Sequence, residues 1–168
     1  MSDQKKPLTR GELEIIIKKR AAIVVTALAA LLAVNGYYGN SNSGKVMSDT
    51  IAANNQWAWY QAKNVRAAIY KTTADTVTDK KLSQFYHAES QRMRDDMDKI
   101  EAKAKGHEQS REAARQKSPY YTYAGIGLQL GIVLSTAAIL AVVMPLFWAS
   151  VGVGSIGAAL FLFAQFGV

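Results

Sequence analysis

The chain has 168 residues, a formal net charge of +7, 49% hydrophobic residues and no cysteine. These values exclude disulfides, thiol nucleophiles, iron–sulfur clusters and thiolate zinc sites, and the length allows one domain with at most an appendage. The averages hide a partition: all 20 Lys and Arg and all 13 Asp and Glu precede Ser118, and Ser118 to Val168 holds neither charge nor histidine. Water-facing surfaces carry charge on roughly a quarter of their residues, so this tail does not face water along its length.

Residues 1–20 form a basic segment with Lys5, Lys6, Arg10, Lys18, Lys19 and Arg20 against Asp3, Glu12 and Glu14. Thr9 followed by Glu12 fits a capping box, in which hydroxyl and carboxylate each satisfy an orphan backbone N–H. A helix from there places Leu13, Ile16 and Ile17 on one side. Residues 21–38 follow, and from Ala21 to Val34 the only polar side chain is Thr26. Eighteen helical residues reach about 27 Å, just enough for a hydrocarbon core of about 30 Å. Basic residues flank one end, and Tyr37 and Tyr38 suit the interface at the other. A cleaved signal peptide has a similar outline, but no small-x-small cleavage site follows, which favours a retained span.

Residues 39–119 are polar and helical in pattern. Gly39-Asn-Ser-Asn-Ser-Gly44 reads as a flexible break. Beyond it Ile51, Ala58, Ala62, Val65 and Ile69 recur at helical spacing with Asn55 on the same stripe, and a neighbouring face carries Trp57, Tyr60 and Ala67. Thr72 to Asp79 is poor in helix formers and predicts a turn, with Thr78 or Asp79 capping the next helix. That helix carries Leu82, Phe85, Tyr86, Met93, Met97, Ile100 and Ala104 on one stripe. Two long helices joined by a short turn fold back as an antiparallel hairpin.

The tail predicts two further spans. Tyr120, Tyr121 and Tyr123 form an aromatic belt beside Arg115 and Lys117, and residues 120–144 make the second span. Pro145 removes a backbone donor and supplies the break, so residues 145–168 make the third. The expected class is an all-α integral membrane protein: three transmembrane helices, with an extramembrane antiparallel hairpin between the first and second. Basic residues before the first span place the N-terminus in the cytoplasm and the hairpin in the periplasm, although Arg115 and Lys117 beside a charge-free loop at Pro145 point the other way.

Asn55-Gln-Trp-Ala-Trp-Tyr-Gln-Ala-Lys63, with Asn64-Val-Arg66 and Ile69-Tyr70 behind it, resembles the Trp-Ala-Tyr-Tyr-Gln-Ala-Lys-Ser-Ile-Lys signature of a bacterial membrane-protein family, domain of unknown function 4337. Gly127-Leu-Gln-Leu-Gly-Ile-Val-Leu134 resembles the start of that family's second span. The resemblance covers the chain from about Ala21 and implies the same order of parts in a bacterial inner membrane, without an activity. Two departures stand out. Pro119-Tyr-Tyr-Thr-Tyr123 replaces a His, Arg and acidic cluster, and Met144-Pro-Leu-Phe147 lacks the basic residues that would anchor that loop inside.

No constellation for catalysis emerges. His87 and His107 lie about 30 Å apart along one predicted helix and cannot share a metal within one copy. There is no nucleophile–base–orienter group, phosphate loop or dinucleotide fingerprint, so neither enzyme nor cofactor is expected. In the middle segment 14 basic and 10 acidic residues are interspersed, the pattern of a solvated helix face and not of a nucleic-acid groove. Membrane lipids account for the N-terminal basic excess.

Gly127 and Gly131, then Ser150, Gly154 and Ala158, space small residues at every fourth position, the pattern of close-packed membrane helices, and Gln129 is expected to be buried between them. Trp57, Trp59, Tyr60 and Tyr70 are candidate interaction residues, and Trp57 and Trp59 cannot face one neighbour. These features predict a homo-oligomeric scaffold or a small structural subunit of a larger envelope complex. Copies would associate through the Ile51–Ile69 and Leu82–Ala104 stripes and the glycine-rich faces. The alternatives are an oligomeric channel or pore, and an envelope binding protein using the Trp57–Tyr60 run.

Overall fold

A computed structural model describes residues 9–167. Among them there are three helices and no strand: α1 (Arg10–Thr76), α2 (Lys80–Ala141) and α3 (Met144–Phe166). Lys5, Lys6 and Asp3 lie outside the described residues. Two helices, α2 and α3, are long and apolar enough to cross a membrane. The shorter apolar run Ala21–Val34 of α1 is not among the two.

The N-terminus of α1 is set by the Thr9–Glu12 capping box. The Thr9 N–H and hydroxyl donate to Glu12 Oε2 at 2.9 and 2.8 Å, and the Glu12 N–H returns to Thr9 Oγ1 at 3.4 Å. These bonds, the backbone one foremost, hold the Glu12 carboxyl below the usual range.

The expected break at Gly39–Gly44 is absent, and α1 is helical throughout it. Glycine in a helix interior costs up to about 1 kcal/mol relative to alanine, and here tertiary contact overrides that preference. A Cβ on Gly39 would sit 3.4 Å from Tyr121 Cβ, and Asn42 Nδ2 donates to Ser118 Oγ at 3.0 Å. The polar linker is therefore a helix–helix contact. α2 is likewise continuous through Pro119, although proline supplies no N–H to its ladder.

The chain divides into two compact units, one holding residues 1–42 and 116–168 and the other Ser43–Arg115. The second unit is an antiparallel hairpin of α1 and α2. Its turn is confined to residues 77–79, because Thr73 and Thr76 remain helical with their hydroxyls bonded to the carbonyls of Ile69 and Thr72. Asp79 caps α2, its Oδ1 accepting the Lys81 N–H at 2.8 Å, and Ser83 Oγ ties back to the Ala74 carbonyl at 2.9 Å. Ala53, Ala67 and Ala74 of α1 and Met93, Met97, Ile100 and Ala104 of α2 are all buried in this unit. Here the expectation of the Leu82–Ala104 stripe as a face between copies is corrected. From Met93 onward that stripe is the hairpin's own core, and the small alanines of α1 let the two backbones approach closely.

In the first unit α2 and α3 pack along their small residues. A Cβ on Gly127 would lie 2.9 Å from Gly157 Cα, and one on Gly131 would lie 3.0 Å from Gly154 Cα. Buried Ser135 and Ser150 share a hydrogen bond of 2.8 Å, and Ser150 also bonds the Phe147 carbonyl. Leu28 of α1 covers this seam, its methyls 2.8 Å from where a Gly154 Cβ would be. Ile17 and Ala21 pack with Ala138 and Phe147 further along. The glycine-rich faces expected to join copies are thus occupied within one chain.

The turn between α2 and α3 also differs from expectation. It falls at Val142 and Val143, and Pro145 sits in the first turn of α3, where a missing N–H costs nothing. Val142 adopts φ 53°, and the Val143 N–H bonds the Ala138 carbonyl at 3.3 Å. This is a Schellman closure with valine where glycine is usual.

Candidate functional site

The aromatic run occupies the middle of the hairpin's first helix. Residues 57, 60, 63, 67, 70 and 74 follow three- and four-residue steps, which keeps them on one face of α1 toward α2. Trp57 turns inward and its indole N–H donates to Glu108 Oε1 at 2.9 Å. Its ring meets Tyr60 edge to face, with centroids 5.5 Å apart. Lys63 Nζ bonds Asp96 Oδ2 at 2.7 Å, and this ammonium holds the Asp96 carboxyl below the usual range. Tyr70 stacks on Tyr86 with centroids 6.0 Å apart, and Ser90 Oγ donates to the Ala67 carbonyl at 2.9 Å in the interior. Three of the four candidate interaction residues, Trp57, Tyr60 and Tyr70, are committed to contacts within the hairpin.

Trp59 is different. It is 67% exposed and borders a shallow groove with Ala62, Lys63 and Arg66 on the outer side of α1. The divergence of the two tryptophans follows from their i, i+2 spacing on a helix. On the same outer side Ile51, Val65 and Ile69 are each about half exposed, and Asn55, Ala58 and Ala62 between them are exposed too. Among the described residues this stripe, apolar but for Asn55, is left without a covering neighbour.

Asp49 and His107 also come together, with Oδ1 and Nδ1 3.2 Å apart. The Ser110 hydroxyl first, and the His107 ring second, hold the Asp49 carboxyl below its ordinary range. Nothing in the local sequence signals this pairing, because the partners are 58 residues apart and only the hairpin register aligns them. His87 lies 3.6 Å from Asp75 across the turn. Among the described residues no three His, Cys, Asp or Glu side chains gather into a metal-binding group.

Of the small residues singled out in the apolar segments, Gly127, Gly131, Ser150 and Gly154 lie in the α2–α3 seam, and Ala158 lies partly buried beside it. Gln129 does not: it is exposed. Ala124, Leu128, Gly131, Ser135 and Ala138 form the inner face of α2, and position 129 falls outside that stripe. The buried amide is instead Asn35, 5% exposed, whose Nδ2 donates to the Tyr121 carbonyl at 3.0 Å and touches the space beside Gly125. Asn35 appears in the sequence only as the residue that closes an apolar run, so its buried role was not legible there.

Fold and site together define an all-helical chain with a hairpin, bearing two helices long and apolar enough to cross a membrane. The chain belongs to the family described as Domain of unknown function (DUF4337), whose model matches residues 17–167. No curated protein and no solved structure matches it.

Proposed function

We propose that this chain is a non-enzymatic scaffold of a bacterial inner membrane, held by three spans and working as a homo-oligomer or as a structural subunit of a larger envelope complex. The spans are Ala21–Tyr38 of α1, the part of α2 from Tyr120 to Ala141, and α3. One observation carries the reading. The first unit buries small and hydroxyl-bearing residues such as Gly154, Gly157, Ser135 and Ser150 along its helix seam, while many of its large apolar side chains lie on the outside. Ile23, Leu140, Ile156 and Phe166 are 65%, 81%, 63% and 87% exposed, and no charge occurs after Lys117. In water such a surface drives aggregation. In lipid it is the expected exterior, because association there depends on close packing of small residues and not on apolar burial.

The third span is supported by the same logic. Ala21 to Tyr38 contains no charge, Leu28 seats on the α2–α3 seam, and Thr26 bonds its hydroxyl to the Ala22 carbonyl, leaving no donor to lipid. Lys18, Lys19 and Arg20 set the N-terminus inside, which puts the hairpin in the periplasm. Leu28 packs beside Gly131 and Gly154, which supports a packing role for these two glycines over a place in a pore lining. A ligand reading is left with Trp59 alone of the four aromatic candidates.

Carbonate extraction of native membranes, followed by native mass spectrometry in mild detergent, tests the proposal. Resistance to carbonate with more than one copy per micelle is expected. Full-length protein that stays dissolved without detergent overturns the membrane reading.

A further inference from the structure

The outer stripe of the hairpin's first helix repeats every seven residues. Asn55, Ala62 and Ile69 take one set of positions, and Ile51, Ala58 and Val65 take the other, in alternating four- and three-residue steps. This is a heptad seam, with Asn55, Ala62 and Ile69 as a and Ile51, Ala58 and Val65 as d. Every one of the six is exposed in the single chain, because the hairpin uses the opposite face of α1, with Ala53, Ala67 and Ala74, for its own core.

We infer that the occupant of this seam is the same seam of a second copy, forming a parallel two-stranded coiled coil. The inference rests on the membrane-anchored reading above, since two copies inserted with the same orientation carry their α1 helices in the same direction. In a parallel pair each residue meets its own counterpart, so a charge on the face would oppose itself. From residue 46 to 62 the sole charged residue of α1 is Asp49, and it is turned to His107 on α2. The seam itself carries no charge at any position.

The polar member of the seam falls where a parallel dimer accommodates it. An asparagine at a single a position selects register and two-strandedness, and Asn55 occupies such a position. The flanks agree as well. Asn54 and Gln61 take g positions, facing the Trp59 and Arg66 e positions of the other copy, so no like charges meet. Ala58 and Ala62 at the centre allow close approach. The seam spans about three heptads, which is short for a free coiled coil, but confinement to one bilayer raises the effective concentration of the second strand.

The chain has no native cysteine, so single-cysteine variants report cleanly. Full-length I51C, V65C and I69C, each expressed alone and oxidised in native membranes, are expected to convert mostly to disulfide-linked dimers. K99C, on the exposed side of α2, is expected to stay monomeric. Cross-linking only when I51C and I69C are co-expressed marks an antiparallel pair and overturns the inference. The second variant is A58R, which places a guanidinium against its own copy and is expected to lower the dimer fraction about tenfold or more at unchanged helix content. Multiple copies by native mass spectrometry without V65C cross-linking refute the seam and leave the homo-oligomeric reading standing. A lone copy in the bilayer removes both.

Discussion

Replacing Gly157 by alanine tests whether the α2–α3 seam is a true backbone contact. A Cβ there would lie 2.7 Å from the Leu128 nitrogen and 3.0 Å from both the Ala124 oxygen and the Gly127 carbonyl carbon. Ordinary heavy-atom contact is about 3.5–4.0 Å, and the obstacles are backbone atoms that no rotamer change can move. The helices must part by roughly 1 Å, which strains the Ser135–Ser150 bond and the Leu28 seat. Overpacking of this kind costs about 1–3 kcal/mol. Alanine also improves helix propensity by up to about 1 kcal/mol, which obscures the penalty in a single variant. Gly152→Ala supplies the reference, since a Cβ there meets nothing within 4 Å in the same helix. The propensity term cancels between the two, so their difference isolates the steric one at about 1–3 kcal/mol. The assay is unfolding from mild-detergent micelles by titration with sodium dodecyl sulfate, followed by far-ultraviolet circular dichroism. Equal stabilities, or Gly157→Ala the more stable, would refute the close approach of α2 and α3.

Trp57→Phe keeps the ring contact with Tyr60 but removes the donor to Glu108, so thermal melts should show a loss of about 1 kcal/mol; Trp59→Ala should leave the melt unchanged. Ser135→Ala and Ser150→Ala, alone and combined, should couple by about 0.6 kcal/mol and no more than about 1.7 in a double-mutant cycle. Asp49 and Asp96 have folded pKa values below the unfolded value of about 3.9, so their stabilisation is complete above that value and is lost as pH falls through the folded ones. Acid melts should therefore steepen below about pH 4, and Asp96→Asn should lessen that dependence.

Local signals in the sequence were sufficient where the physics is local. The Thr9–Glu12 box and the Asp79 cap both form, because each depends on a side chain reaching a backbone N–H two or three residues away. The continuity of α1 through Gly39–Gly44 depends on Tyr121 and Ser118, far away in sequence, and no local pattern reveals them. Pro145 marks the turn region but not the turn, because proline is equally at home just inside a helix start. On the hairpin the sequence offers α1 two faces, the Ile51–Ile69 stripe and the alanine face opposite it. It does not say which of them meets α2, and the structure chooses the alanine face over the more apolar Ile51–Ile69 stripe. The small residues of the tail announce close packing correctly as a physical tendency, yet they are silent on whether the neighbour lies in the same chain.

The proposed membrane anchoring stands or falls with the Ala21–Tyr38 part of α1 crossing the bilayer. Cysteines placed singly at Arg10, Ala29 and Ser48, in a chain that has none of its own, can be probed with a membrane-impermeant maleimide in right-side-out and inverted vesicles. Arg10→Cys and Ser48→Cys are expected to be labelled from opposite sides, and Ala29→Cys, exposed in the isolated chain, from neither. Labelling of Arg10→Cys and Ser48→Cys from the same side, or ready labelling of Ala29→Cys, would contradict the crossing.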